Sequence, residues 1–184
     1  MIDAIQPITT THLGFKFRSR LEARWAVAFT TLGLVFDYEP EGFRLSDGTL
    51  YLPDFYFPQT KCWAEVKPND DPARLVISPD AARKVCLLAL GSGRPVIVLD
   101  GPVRDTNYWC AVPVELEPTG VEWFDVHLFD ENHYHVSEGR FYMDTGAPLF
   151  EHYQDGLLNA YTLGRGAIHP AVLAARSARF ERGA

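Results

Sequence analysis

No stretch of this sequence supplies the roughly 18 uncharged apolar residues that a membrane-spanning helix needs, and its N-terminus lacks the basic and apolar regions of a secretory signal. A soluble, unexported protein of the cytoplasm, with no membrane partner, is the expectation. Cysteine is scarce. Cys62, Cys86 and Cys110 are odd in number, widely spaced and free of any CxxC pair, which argues against a disulfide framework and a zinc knuckle. They read as buried thiols in a reducing compartment. Low-complexity tracts, internal repeats and long linkers are also missing, so residues 1–184 are expected to form a single domain. Positive charge is in short supply, with 17 Lys and Arg against 24 Asp and Glu and a formal charge of −7. A polyanion is repelled by that field on average, so a nucleic-acid role must rest on local basic patches. A surplus of carboxylates suits another partner, since hard divalent cations take oxygen ligands.

What is present is enough apolar material for one sizeable core: 47% of 184 residues are hydrophobic. Leu21, Trp25, Ala28 and Leu32 recur at helical spacing, predicting a helix over residues 19–32 that Gly33 stops. Residues 34–40 read as a strand. Residues 42–57 read as a hairpin turned at Asp47 and Gly48. "KCWAEV" follows as a further strand. Ser78 and Pro79 are placed to cap and open a second helix, which Gly91 or Gly93 ends. "GSG" at Gly91 to Gly93 thus follows a helix and is not a phosphate loop. "PVIVLD" is continuously apolar before its Asp and suits a strand buried on both faces. Several short aromatic strands are expected between residues 108 and 150, and a last helix over 167–180.

The segment "YLPDFYFPQTKCWAEVK" carries charge where a packed sheet wants none. Alternation along a strand puts Glu65 and Lys67 on one face with Trp63, their stems about 7 Å apart, and Cys62, Ala64 and Val66 on the other. Asp54 follows Pro53, which interrupts a ladder and bends it, so that two carboxylates can converge. Such a pair repels unless a cation lies between, and Lys67 offsets only one charge. Mg²⁺ fits because it takes one or two protein carboxylates and keeps waters and substrate phosphate oxygens as its other ligands. The ion would acidify a water and neutralise charge on phosphorus, with Lys67 placed to orient or deprotonate that water.

Pro53 and Asp54 followed by "EVK" at Glu65 to Lys67 resemble the signature of the PD-(D/E)XK nuclease superfamily, the restriction-endonuclease-like fold. The expected order, helix, three strands, helix, strand, resembles that family's α/β core, a mixed sheet flanked by helices, over residues 13–100. A β-rich elaboration and terminal helix over residues 101–184 have no counterpart in it. "FRSRLEARWA" preceding "LPDF" looks like small nucleases of bacteriophages and actinobacteria, which implies a bacterial cell or a phage-infected host. The resemblance implies that Asp54, Glu65 and the Val66 backbone carbonyl ligate Mg²⁺ or Mn²⁺, that Lys67 acts on the nucleophilic water, and that Glu22 on the first helix joins the site.

Plainer readings stand beside these. "SRLE" is also a capping box that would employ Glu22 at the helix start, and Asp54, Glu65 and Lys67 could form a surface ion pair on an edge strand. Arg18, Arg20 and Arg24, with Lys16, crowd the first helix and could hold phosphates. So could Arg83 and Lys84 on the second helix, and Arg176, Arg179 and Arg182 on the last. Each cluster is equally a solvated helix face. His133 and His135 share a strand face, but two histidines without a third ligand make a poor zinc site. The expected activity is a metal-dependent DNA nuclease, alone or with a homodimeric or other protein partner. The alternatives are a catalytically silent binding module and an RNA-directed nuclease.

Overall fold

Ser19 starts the first helix. Its Oγ accepts the Glu22 N–H at 3.2 Å, and α1 runs Arg20–Thr31. Gly33, at φ 73°, sits past the end, where the Gly33 N–H bonds the Thr30 carbonyl and the Leu34 N–H bonds the Phe29 carbonyl. That paired closure needs a left-handed residue at Gly33. Ser78 and Pro79 open α2 (Pro79–Ser92) in the same way, and Gly93 closes it at φ 63°. The computed structural model describes residues 9–69, 77–104, 107–114, 120–127 and 170–180.

The centre is a six-stranded mixed sheet of order β10-β9-β8-β7-β6-β3. Its members are β3 (Asp37–Tyr38), β6 (Phe55–Phe57), β7 (Cys62–Lys67), β8 (Val96–Asp100), β9 (Asn107–Val114) and β10 (Gly120–His127). Among the described strands only β7 and β8 pair in parallel, and α2 is the crossover that a parallel pair requires. Alternation then sorts the core into two layers. Cys62, Ala64, Val66, Ile97 and Leu99 pack with Ala23, Trp25, Ala26 and Phe29 of α1 and with α3 (Pro170–Ser177). Trp63, Val96 and Val98 pack on the opposite face with Val85, Leu88 and Ala89 of α2. All five residues of β8 are buried, as a doubly covered strand demands. A mixed α/β architecture with helices on both faces follows. Among the described residues no helix is long and apolar enough to cross a membrane.

The structure departs from the sequence expectations in several places. The stretch 42–57 is not one hairpin. β4 (Phe43–Arg44) and β5 (Leu50–Tyr51) form their own two-stranded sheet, and β6 belongs to the main one. Pro53 has no N–H to give a ladder, so the chain bends between Tyr51 and Phe55. The strand expected over 34–40 pairs only at Asp37 and Tyr38. A hairpin of β1 (Thr10–His12) and β2 (Phe15–Phe17) precedes α1, turned by Leu13 and Gly14, both at positive φ. Cys86 is half-buried, whereas Cys62 and Cys110 are buried, and all three thiols are free. β9 and β10 extend the central sheet directly. The strands expected at 133–137 and 140–143, with His133 and His135, lie outside the described residues, as do 167–169 and Arg182.

Candidate metal centre

β6 and β7 pair antiparallel, with Phe55 opposite Ala64. One step further along that register, Asp54 stands across from Glu65. Asp54 does not continue the backbone ladder. Its carboxylate bends over the strand end, and Oδ2 accepts the Val66 N–H at 2.7 Å. Oδ1 accepts from Arg18 Nη2 at 2.8 Å. Asp54 is only 3% exposed and Glu65 4%, so neither charge is relieved by bulk water. Burial, reinforced by the charges of Glu65 and Glu22, pushes the Asp54 carboxyl up to about 8, against the pull of the Val66 N–H and Arg18.

Glu65 has a divided carboxylate. Oε1 takes the Lys67 ammonium, two residues on along the same strand face, while Oε2 is buried without a hydrogen-bond partner among the described residues. The Tyr51 hydroxyl, on the β4–β5 hairpin, is also buried and acts on Glu65, yet falls short of hydrogen-bond geometry with it. Burial first and the Glu65 charge second hold that phenol well above its ordinary range. An orphaned carboxylate oxygen beside a second buried carboxylate is the environment a cation relieves.

Glu22 is also buried, at 8% exposure, and faces the sheet with Ala26 and Phe29. Its carboxylate is nevertheless fully used. Oε1 accepts the Ser19 hydroxyl at 2.6 Å, and Oε2 accepts the Tyr38 hydroxyl at 2.6 Å and the Arg18 N–H at 3.1 Å. Glu22 thus performs the capping role and adds its charge to Asp54 from a distance. Among the described residues no group of three or more His, Cys, Asp or Glu side chains is arranged to hold a metal ion. The ligands on offer are Glu65, through its unpartnered Oε2, and Asp54 across the strand pair, whose Oδ1 is now taken by Arg18 and whose Oδ2 is taken by Val66, with the Val66 carbonyl beside them. The donor set fits Mg²⁺ or Mn²⁺, which need only one or two carboxylates.

The basic residues divide. Arg18 belongs to the centre: its guanidinium bridges Asp54 and Glu39 while more than half of the side chain stays exposed. Arg20 is exposed in the first turn of α1, and Arg24 is half-buried with Nε unbonded. Lys84 pairs with Asp80, and Arg83 with Asp80 and Asp47, so the second-helix cluster is engaged within the protein. Arg176 reaches the Val103 carbonyl from α3, and Arg179 lies past the helix end with its guanidinium on the Ser177 carbonyl. These two do not form one helical stripe.

The sequence reading missed five members of this neighbourhood, Tyr51 among them. Tyr38 and Glu39 sit where β3 ends, Glu39 at a left-handed φ of 46° with its N–H on the Asp54 carbonyl at 2.9 Å. A non-glycine residue held there is a strained position. Asp100 ends β8 opposite Lys67 in the parallel register, 4% exposed, and accepts Asn69 Nδ2 at 2.6 Å. Burial raises its carboxyl pKa, with Asn69 opposing. The terminal Asp of "PVIVLD" was the available signal. No family model matches this chain, and neither curated proteins nor solved structures return a match.

Proposed function

We propose that this chain is a metal-dependent phosphodiesterase acting on DNA, built on a restriction-endonuclease-like core. The observation that carries the reading is the pair of buried carboxylates, Asp54 and Glu65, on adjacent strand ends, with Glu65 Oε2 unpartnered and Lys67 on its other oxygen. Asp54, Glu65 and the Val66 carbonyl would hold the ion. A bound Mg²⁺ or Mn²⁺ supplies Lewis-acid charge and an acidified water at that point.

The chain's own groups do the rest. Lys67 is about a third exposed and held by Glu65, so its ammonium can orient a water and offset charge on the phosphoryl oxygens. Arg18 is anchored at one end by its backbone N–H on Glu22 and Tyr38, while more than half of its side chain stays exposed. It is placed to exchange a carboxylate for a substrate phosphate, which a guanidinium can hold through two parallel N–H bonds. Tyr38, through Glu22, fixes the helix start that carries it.

Incubation with linear, circular, single-stranded and branched DNA and with RNA, plus Mg²⁺ or Mn²⁺, tests this. DNA cleavage that is lost in Asp54→Ala and Lys67→Ala, both still folded by circular dichroism, is the expected result. Undiminished cleavage by those variants overturns it. Cleavage of RNA alone would assign the RNA-directed reading. Absence of both cleavage and calorimetric Mn²⁺ binding would leave a binding module on the same fold.

A further inference from the structure

On the α2 face of the sheet, next to this centre, lies a cavity of about 590 Å³ lined by Asp37, Glu41, Phe43, Tyr56, Trp63 and Arg94 among others. Its wall is aromatic. Phe43 meets Trp63 edge-on with centroids 5.1 Å apart, and Tyr56 lies 4.5 Å from Trp63 at a 40° tilt. Arg94 stacks its guanidinium 5.3 Å from the Tyr56 ring centre and bonds the Tyr56 hydroxyl. Trp63 is 3% exposed, and its indole N–H is buried with no hydrogen-bond partner among the described residues, an unsatisfied donor beside these rings.

The chemistry of this lining narrows the ligand. An ammonium ligand would want the aromatic faces free, but Arg94 already takes the cation position over Tyr56. An inorganic anion would meet two carboxylates, Asp37 and Glu41, against one guanidinium. A flat, neutral, aromatic ligand with N–H donors on its edge suits this lining: an aromatic ring and a guanidinium plane to stack on, and carboxylates to accept. The size lies within the range of small-ligand pockets.

Position supplies the second argument. Trp63 and Glu65 share a strand face, about 7 Å apart, and Phe43 pairs across the β4–β5 hairpin with Tyr51, whose hydroxyl acts on Glu65. One hairpin thus borders both the carboxylate centre and the cavity. We propose that the cavity takes a nucleobase carrying an exocyclic amino group, splayed out of the strand whose phosphate lies at Glu65 and Lys67. The proposal rests on the phosphodiesterase reading for the phosphate, and on the cavity alone for the base.

The test is titration of metal-free protein with dAMP, dCMP, dGMP and dTMP, followed by the indole N–H signals in nuclear magnetic resonance. The three amino-bearing nucleotides are expected to bind about tenfold or more tightly than dTMP, since each good base-edge pair discriminates by that order. Asp37→Asn with Glu41→Gln, both at exposed positions, should level the four affinities, and Arg94→Gln should weaken all of them. Selective binding that survives in Asp54→Ala, together with undiminished cleavage by that variant, would sink the catalytic reading and keep the pocket. Cleavage that depends on Asp54 while the four nucleotides bind alike, or not at all, overturns the pocket alone.

Discussion

Asp54 Oδ2 accepts the backbone N–H of Val66 at 2.7 Å, a side chain standing in for the ladder bond that β6 fails to make after its bend at Pro53. The bond holds a carboxylate at a strand end where its charge is poorly solvated, and that has a measurable consequence for stability. The Asp54 carboxyl is raised to about 8 by burial and by Glu65 and Glu22, against the ordinary carboxylate value of about 4 in the unfolded chain. The folded protein then holds a proton that the unfolded chain releases, so this contribution is full below pH of about 4 and is lost as pH rises through about 8. Thermal melts of metal-free protein should show stability falling across that window, with the fall much reduced in Asp54→Asn. Identical profiles for the two proteins would refute the assignment.

Glu22→Gln separates the two roles of that residue. A glutamine oxygen still accepts from Tyr38 and the Arg18 N–H while its amide N–H donates to the Ser19 hydroxyl oxygen, so the helix start should lose no more than about 1 kcal/mol in denaturant unfolding. Cleavage should persist, because Glu22 is fully used within the cap. A loss of activity of a hundredfold or more in the folded variant would instead make Glu22 a metal ligand, after displacement of its present partners.

Arg18→Gln removes the cation that Asp54 and Glu39 now share. Mn²⁺ binding by calorimetry should tighten by about tenfold, the order expected from deleting one like charge near a partly solvated ion. DNA binding should weaken, with a shallower salt dependence. Unchanged Mn²⁺ affinity would show that the ion sits elsewhere.

Phe29→Ala tests the packing that supports the centre from below. Phe29 is 1% exposed and meets Phe55 and Phe57 at centroid distances of 5.2 Å and 4.9 Å, joining α1 to the strand next to Asp54. Truncation should cost about 3–5 kcal/mol in denaturant unfolding. A loss under 1 kcal/mol would mean that α1 is not seated on the sheet through this ring.

Much of this was legible from local chemistry. Ser19, Gly33, Ser78, Pro79 and Gly93 punctuate both long helices where the sequence places them, because caps are decided by one or two residues. The face assignment of Trp63, Glu65 and Lys67 was also readable, since alternation is a property of any strand. What escaped depends on partners far along the chain. That β6 leaves the β4–β5 hairpin follows from pairing with β7, and Arg18 beside Asp54 spans 36 positions. The β1–β2 turn escaped because Leu13 adopts a left-handed φ of 52°, which leucine rarely does. Asp100 was visible as the end of an apolar strand, but its neighbour Lys67 emerges only from the parallel register.

Gly101 gives its N–H to the Lys67 carbonyl at 2.7 Å and receives the Trp25 indole N–H on its own carbonyl at 3.1 Å. It holds φ at 75°, and a Cβ there would stand 3.0 Å from the Asn69 carbonyl oxygen. One peptide-sized rivet therefore fastens the helix that begins at Arg20 to the strand that ends at Lys67. Amide exchange along α1 and along the last turn of β7 should be slowed together and released together, as one cooperative opening.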